Sequence, residues 1–431
     1  MNYFFPTEDH NHEYGVVETF ISDPNDDPKN IVISFDGTGG NPGWAVQRGN
    51  EDRYGEVTGL GNCCKLHLLA GGNIGNTNYT FNNPDQLVQL PLYYSGVGTR
   101  GYTRHLKSVM GLGAMKDIYT TAYEDLEKIY RKDDKIFVFG FSRGAATARL
   151  FCSYLFHNPI RGVVPQVAFL GVFDTVCESI PIGGGVGTSD APSVLDVNGE
   201  DGSLPGNVAR AVHLVSIDDY RGPFTPTLFN NDPKVTEVWC PGVHSDIGGG
   251  YYHDGLSDLA LVAMKIEAEK AGLICREITR QTIEESHHTI VARGADPQLD
   301  ARSFSNFDND MQIEPNCLDR EIHNTMSLMY STLNFFKRFV HRKPRKLKDN
   351  EDWDEEPILL LDGAVERVRS WVHTIPDTYV FPDLTYSVDN AGRHKYRPQC
   401  LVGVPYKVVS SEDMSVSDTV HNCITDEVDE W

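Results

Sequence analysis

The chain has 431 residues, 40% of them hydrophobic, enough to bury one large core or two modest ones, with no compositional sign of disorder. Its 38 basic and 61 acidic side chains leave a formal charge of -23, which repels nucleic acid and anionic lipid head groups alike, so no nucleic acid partner is expected. The N-terminus lacks the basic start and apolar run of a secretory signal, and no stretch approaches the ~18 to 20 apolar residues of a spanning helix. Synthesis in the cytoplasm without a signal peptide is therefore expected, with the nine cysteines kept as reduced thiols.

Residues 1–30 read as an N-terminal extension. The first firm strand is Ile31 to Asp36, a short β-branched run that stops at Gly37-Thr-Gly-Gly. From Trp44 to Pro84 the sequence is rich in Gly and Asn and lacks periodicity, which predicts an irregular insertion and a candidate lid. Leu90 to Ser95 reads as a second strand. Met115, Ile118, Tyr119, Ala122, Tyr123, Leu126 and Ile129 recur at three- and four-residue steps and predict a helix between Gly111 and Lys132. The strand Lys135 to Phe141 follows, then a helix opening at Ser142, strands at Val167 to Phe173 and Val235 to Val243, and an amphipathic helix at Leu256 to Ala271. This alternation predicts an α/β fold of the α/β-hydrolase kind, a mostly parallel sheet with helices on both faces. The catalytic domain is expected over residues 31–340. Residues 341–431, opening on the charged stretch Lys343 to Pro357, are expected as a linker and a C-terminal segment packed on that domain.

Gly140-Phe-Ser142-Arg-Gly144 has the G-x-S-x-G pattern, which is weak alone and stronger between a strand and a helix, where a tight turn exposes the serine as a nucleophile. An oxyanion hole in such a site takes the N–H after the nucleophile, here Arg143, and one from the loop after an earlier strand, here Gly37 or Thr38. The bland alternatives are a helix-capping serine and a turn in which Asp36 caps its own backbone. A serine hydroxyl needs a histidine base oriented by a carboxylate. Two strand-end aspartates compete for that acid, Asp174 and Asp246. Strand order favours Asp246, because the usual acid lies two strands beyond the serine.

Phe35-Asp-Gly-Thr-Gly, Gly96-Val-Gly-Thr, Phe139-Gly-Phe-Ser-Arg-Gly-Ala-Ala-Thr-Ala-Arg, Gly171-Val-Phe-Asp-Thr-Val and Gly242-Val-His-Ser-Asp-Ile-Gly-Gly-Gly-Tyr occur in that order over about residues 31–330. A sixth segment runs from His213 through Ser216-Ile-Asp-Asp-Tyr-Arg221. In these segments the chain resembles a family of α/β-hydrolases that includes the first class of type VI secretion lipase effectors. The resemblance implies Asp246 as the acid and a later histidine as the base, for which His323 is the choice although Asn324 and Thr325 depart from the family pattern there. His287, His288 and His244 are alternative bases, and Asp174 is the alternative acid.

His244 and Asp246 with His253 and Asp254 invite a metal reading, but no complete ligand set is visible, so neither a metal nor any other cofactor is expected. From the residues alone the expected activity is hydrolysis of carboxyl esters. The resemblance implies a phospholipase A acting on membrane phospholipid as an antibacterial effector delivered by type VI secretion, with an immunity protein and a spike or tube component as partners. The competing expectations are a cytosolic esterase on small soluble esters and a non-catalytic binding protein that keeps the fold.

Overall fold

The computed structural model describes residues 28–38, 40, 60–72, 89–97, 112–177, 204–219, 224, 226–229, 232–251, 255–278, 313–315, 357–369, 371–372, 386–388, 394–396 and 404–421. Its centre is an eight-stranded sheet in which every pairing is parallel. The strands are β1 (Asn30–Phe35), β2 (Gln89–Tyr94), β3 (Lys135–Phe141), β4 (Val167–Phe173), β5 (Ala211–Ser216), β6 (Val235–Cys240), β7 (Ile358–Leu361) and β11 (Tyr406–Val409). Three short strands, β8 (Trp371–Val372), β9 (Tyr386–Val388) and β10 (His394–Tyr396), pair antiparallel in a separate small sheet.

The helices are α1 (Asn62–Leu69), α2 (Leu112–Ile129), α3 (Arg143–His157), α4 (His244–Gly248), α5 (Gly255–Lys270) and α6 (Asp362–Arg369). Alternate side chains of one strand feed opposite layers, as the pleat requires. Ile31, Ile33 and Phe35 of β1 join Met115, Leu126, Ala148 and Phe151 from α2 and α3 on one face. Val32 joins Cys63 and Leu66 from α1 and Leu259 and Met264 from α5 on the other. With both faces covered, the strands read as continuous apolar runs.

Across the large sheet the order is β11-β7-β6-β5-β4-β3-β1-β2. The chain leaves β1 for β2 on one side and returns to lay β3 on the other, so the winding reverses between β1 and β3. In open parallel sheets such a switch point leaves a crevice beyond the carboxyl ends of the two strands, where ligands bind. Ser142 follows β3 and Gly37-Thr38 follows β1, so topology alone brings those loops together.

Three features differ from the sequence expectation. Within the stretch expected to be irregular, residues 62–69 form a helix whose every residue is buried, Lys65 and His67 included. A helix enclosed all round carries no amphipathic period, which is why none is visible. Lys65 is tolerated there because Asp258, also fully buried, lies 2.9 Å from its Nζ. Strand β5 lies between β4 and β6, where the sequence shows a motif but no strand-like pattern. The sheet also continues past residue 340: β7 pairs with β6, and β11 pairs with β7. Among the described residues no helix is long and apolar enough to cross a membrane.

Candidate active site

Ser142 stands between the end of β3 and the start of α3 with φ 57° and ψ −123°. A non-glycine residue in that left-handed region is strained and persists only where surroundings enforce it. Here its N–H donates to the Phe173 carbonyl at 3.0 Å, and its own carbonyl accepts from the N–H groups of Ala145, Ala146 and Val176. Ser142 holds the capping position of α3, yet its hydroxyl makes no capping hydrogen bond. The two flanking glycines are required by crowding. A Cβ on Gly140 would lie 2.5 Å from the Gly144 carbonyl oxygen, and one on Gly144 would lie 2.3 Å from the carbonyl oxygens of both Phe35 and Asp36.

That second contact seats the elbow directly on the end of β1. The Arg143 guanidinium donates through Nε to the Thr38 hydroxyl at 2.6 Å, which ties the nucleophile turn to the β1 loop a second time. Of the two expected donors in that loop, the Gly37 N–H is already committed to the Asp36 carboxylate at 2.7 Å. Asp36 also accepts from the Tyr93 hydroxyl. Burial pushes the Asp36 carboxyl up from its ordinary range, against the hydrogen bonds from Tyr93 and Gly37 that pull it down. Gly40 and Gly61 enclose it so closely that a Cβ on either would meet the carboxylate at 2.7 Å.

At the next strand ends lies a hydrogen-bonded histidine–aspartate couple. The Asp174 carboxylate, fully buried after β4, accepts from His244 Nδ1 at 2.6 Å and from the Ser216 N–H at 3.0 Å. A carboxylate can only accept, so Nδ1 carries the proton and Nε2 is left as the basic nitrogen. The imidazole lies against the rings of Phe141, centroids 4.6 Å apart, and Phe224, 4.9 Å apart, and so sits beside the residue that precedes the nucleophile. Asp174 itself has φ 39°. Its neighbour Thr175 donates its N–H to Nε2 of His213 at 3.1 Å, an acceptor that exists only on a neutral ring. Burial lowers the His213 pKa, more than the facing Glu237 raises it, and keeps that ring neutral.

The family described as "T6SS, Phospholipase effector Tle1-like, catalytic domain" matches residues 29–160 and 153–267, together 239 of the 431 residues. The chain belongs to this family. Among solved structures, an uncharacterized protein from Pseudomonas aeruginosa is 17% identical with a TM-score of 0.37, covering 65% of this chain and 51% of that one. The chain thus spans about half the length of that relative. The Tle1 effector bound to the VgrG spike of the type 6 secretion system is 19% identical with a TM-score of 0.39, covering 66% of this chain and 84% of that one. No curated protein matches the chain.

In this Tle1-like chain the structure brings Ser142, Arg143, Gly37 and Thr38 to one crevice and pairs the two alternates, Asp174 and His244. Asp246 lies two residues past His244: its Oδ2 accepts the Val243 N–H at 3.0 Å at the start of α4. With β5 in place, Asp246 follows the third strand beyond the serine and not the second, so the strand-order argument for it lapses. His323, His287 and His288 lie outside the described residues, as do His253 and Asp254 of the metal reading. Sequence reasoning missed Asp218 and Asp219, which follow β5, and Tyr93 on Asp36. The acidic pair had a signal, its place in the sixth family segment, but no role attached to it.

Proposed function

We propose that the chain is a serine hydrolase of carboxyl esters that acts on membrane glycerophospholipid as a type VI secretion effector, with Ser142 as nucleophile. The observation that carries this reading is the Ser142 turn: a strained, left-handed serine at the sheet's switch point whose hydroxyl does not cap its helix. The base we assign is His244, oriented by Asp174, in place of His323 and Asp246. The support is the 2.6 Å bond that fixes the tautomer and the ring's packing on Phe141.

Ser142 Oγ attacks the ester carbonyl while His244 Nε2 takes its proton. Asp174 stabilises the imidazolium through Nδ1–H without itself taking a proton. The N–H groups of Arg143 and Thr38 face the developing oxyanion, with the positive end of α3 behind Arg143 adding to the field. Nε2 then returns the proton to the leaving alcohol, and a water deprotonated by the same nitrogen releases the fatty acid. Membership in the Tle1-like family of type VI phospholipase effectors supports phospholipid as the source of the ester; on this reading a spike component is the carrier and a cognate immunity protein protects the producing cell. The net charge of -23 repels anionic head groups, so docking on lipid rests on apolar side chains near the crevice.

The test is phospholipid vesicles assayed beside a short soluble ester, with products identified by mass spectrometry and Ser142 probed by a fluorophosphonate. Fatty acid and lysophospholipid together with label on Ser142 are expected. Labelling with turnover of the soluble ester alone would move the substrate to small esters. Folded protein without label would overturn the serine assignment.

A further inference from the structure

The segment that carries His244 is held in an unusual way. Strands β5 and β6 run parallel and end side by side, and their ladder continues past both ends: Ile217 N–H donates to the Cys240 carbonyl and Asp218 N–H to the Gly242 carbonyl, each at 3.0 Å. Beyond that point the chain after β6 turns sharply at Gly242, with φ 115°, where a Cβ would lie 2.5 Å from that of Asp246. Three successive N–H groups point out of the turn, and each meets a buried carboxylate. Gly242 donates to Asp218 Oδ2 at 2.7 Å, Val243 to Asp246 Oδ2 at 3.0 Å and His244 to Asp219 Oδ2 at 3.2 Å. All three aspartates are 1–2% exposed.

Placing three carboxylates in a protein interior is costly, and apolar packing would hold a turn at lower cost. Hydrogen bonds from consecutive N–H groups to fixed side-chain oxygens do something apolar packing cannot, which is to fix the backbone orientation of a single residue. We infer that Asp218 and Asp219, carried on the end of β5, are positioning residues that clamp the Gly242-Val243-His244 turn and hold the His244 imidazole between Asp174 and the nucleophile. Asp219 is the more direct, since its partner is the backbone N–H of His244 itself. The same clamp accounts for Asp246, which closes the turn at Val243. The β5 end serves both halves of the couple, because the Ser216 N–H also holds Asp174. This inference rests on the assignment of His244 as base.

The experiment uses the full chain with p-nitrophenyl butyrate as probe and compares Asp219→Ala, Asp219→Asn and Asp219→Glu. An asparagine oxygen still accepts the His244 N–H, alanine offers nothing, and glutamate keeps the charge but displaces the acceptor. Misplacing a catalytic group by about 1 Å costs up to 100-fold, so Asp219→Ala should lower kcat by roughly 10- to 100-fold with KM within about 2-fold. Asp219→Asn should stay within about 3-fold of wild type in kcat, a rescue that mere loss of charge or stability does not produce. Folded Asp219→Ala at wild-type kcat, or Asn and Ala falling equally, would overturn the clamp. If Asp219→Ala does not fold, Asp219→Glu decides: lowered kcat at unchanged melting temperature supports the clamp, and wild-type kcat overturns it. His244→Ala is the control for the assignment beneath. Activity retained there removes the base and the inference together, whereas inactive His244→Ala beside fully active Asp219→Ala sinks the clamp alone.

Discussion

The two sides of the crevice are held by different physics. At the end of β3 the Ser142 turn is shaped by exclusion: Gly140 and Gly144 leave no room for a side chain, and the Phe35 and Asp36 carbonyls press against the helix start. At the end of β6 the His244 turn is shaped by attraction, with buried aspartates accepting its consecutive N–H groups. Steric exclusion demands particular residues at particular spacings in one short segment. Hydrogen-bonded clamping draws its partners from the end of β5 and from the helix after β6, and any one of them reads as an ordinary polar residue.

Substitutions that treat the two sides alike should therefore have unlike effects. The largest is expected at the nucleophile: Ser142→Ala removes a hydroxyl without emptying core volume and should lower kcat by roughly 10⁶-fold at an unchanged melting temperature. Turnover of a few per cent in that variant would end the serine mechanism. Next comes the couple, where Asp174→Asn keeps the shape but favours the wrong tautomer of His244 and should cost roughly 10⁴-fold in kcat. Asp246→Asn, measured in the same assay, should stay within about 10-fold of wild type, because its amide oxygen can still accept the Val243 N–H. If those two results come out reversed, Asp246 is the acid and the base is a histidine other than His244.

On the excluded side, Gly144→Ala tests whether sterics rule. Its methyl would lie 2.3 Å from two carbonyl oxygens of β1, so the backbone must shift at a cost of about 1 to 3 kcal/mol, read by denaturant unfolding. A variant as stable as wild type would show that the turn has slack. The smallest effect is electrostatic. Asp36 has a raised pKa in the fold, so the stability it contributes is fully present below its ordinary value of 3.8 and is lost as pH rises through the folded value. Asp36→Asn abolishes that titration, and its melting temperature relative to wild type should be more favourable at pH 7 than at pH 4. A difference that is flat with pH would mean that Tyr93 and Gly37 fully compensate the burial.

Much of the first side was legible. The strands at residues 30–35, 135–141 and 167–173 are runs of apolar and β-branched residues ending in glycine or a polar turn, and the structure has them within a residue of where the pattern puts them. The helix at 112–129 announced itself by its buried stripe. Helix 62–69 did not, since burial on all sides erases the stripe, and β5 escaped because a six-residue strand inside a motif carries little period of its own. That missed strand had a consequence: without it, Asp246 counts as two strands beyond the serine and takes the acid's place.

The sequence by itself determined the parallel α/β layering, the position of the Ser142 elbow and the family, because each depends on local pattern: apolar runs of strand length, glycines forced by crowding, and contiguous motifs. Tertiary structure alone decided which carboxylate meets which histidine. Asp174 and His244 are 70 residues apart and adjoin only because β4, β5 and β6 end side by side. A one-dimensional pattern records the presence of Asp174, Asp218, Asp219 and Asp246, but the partner of each is fixed by strand order, and strand order is a property of the folded sheet.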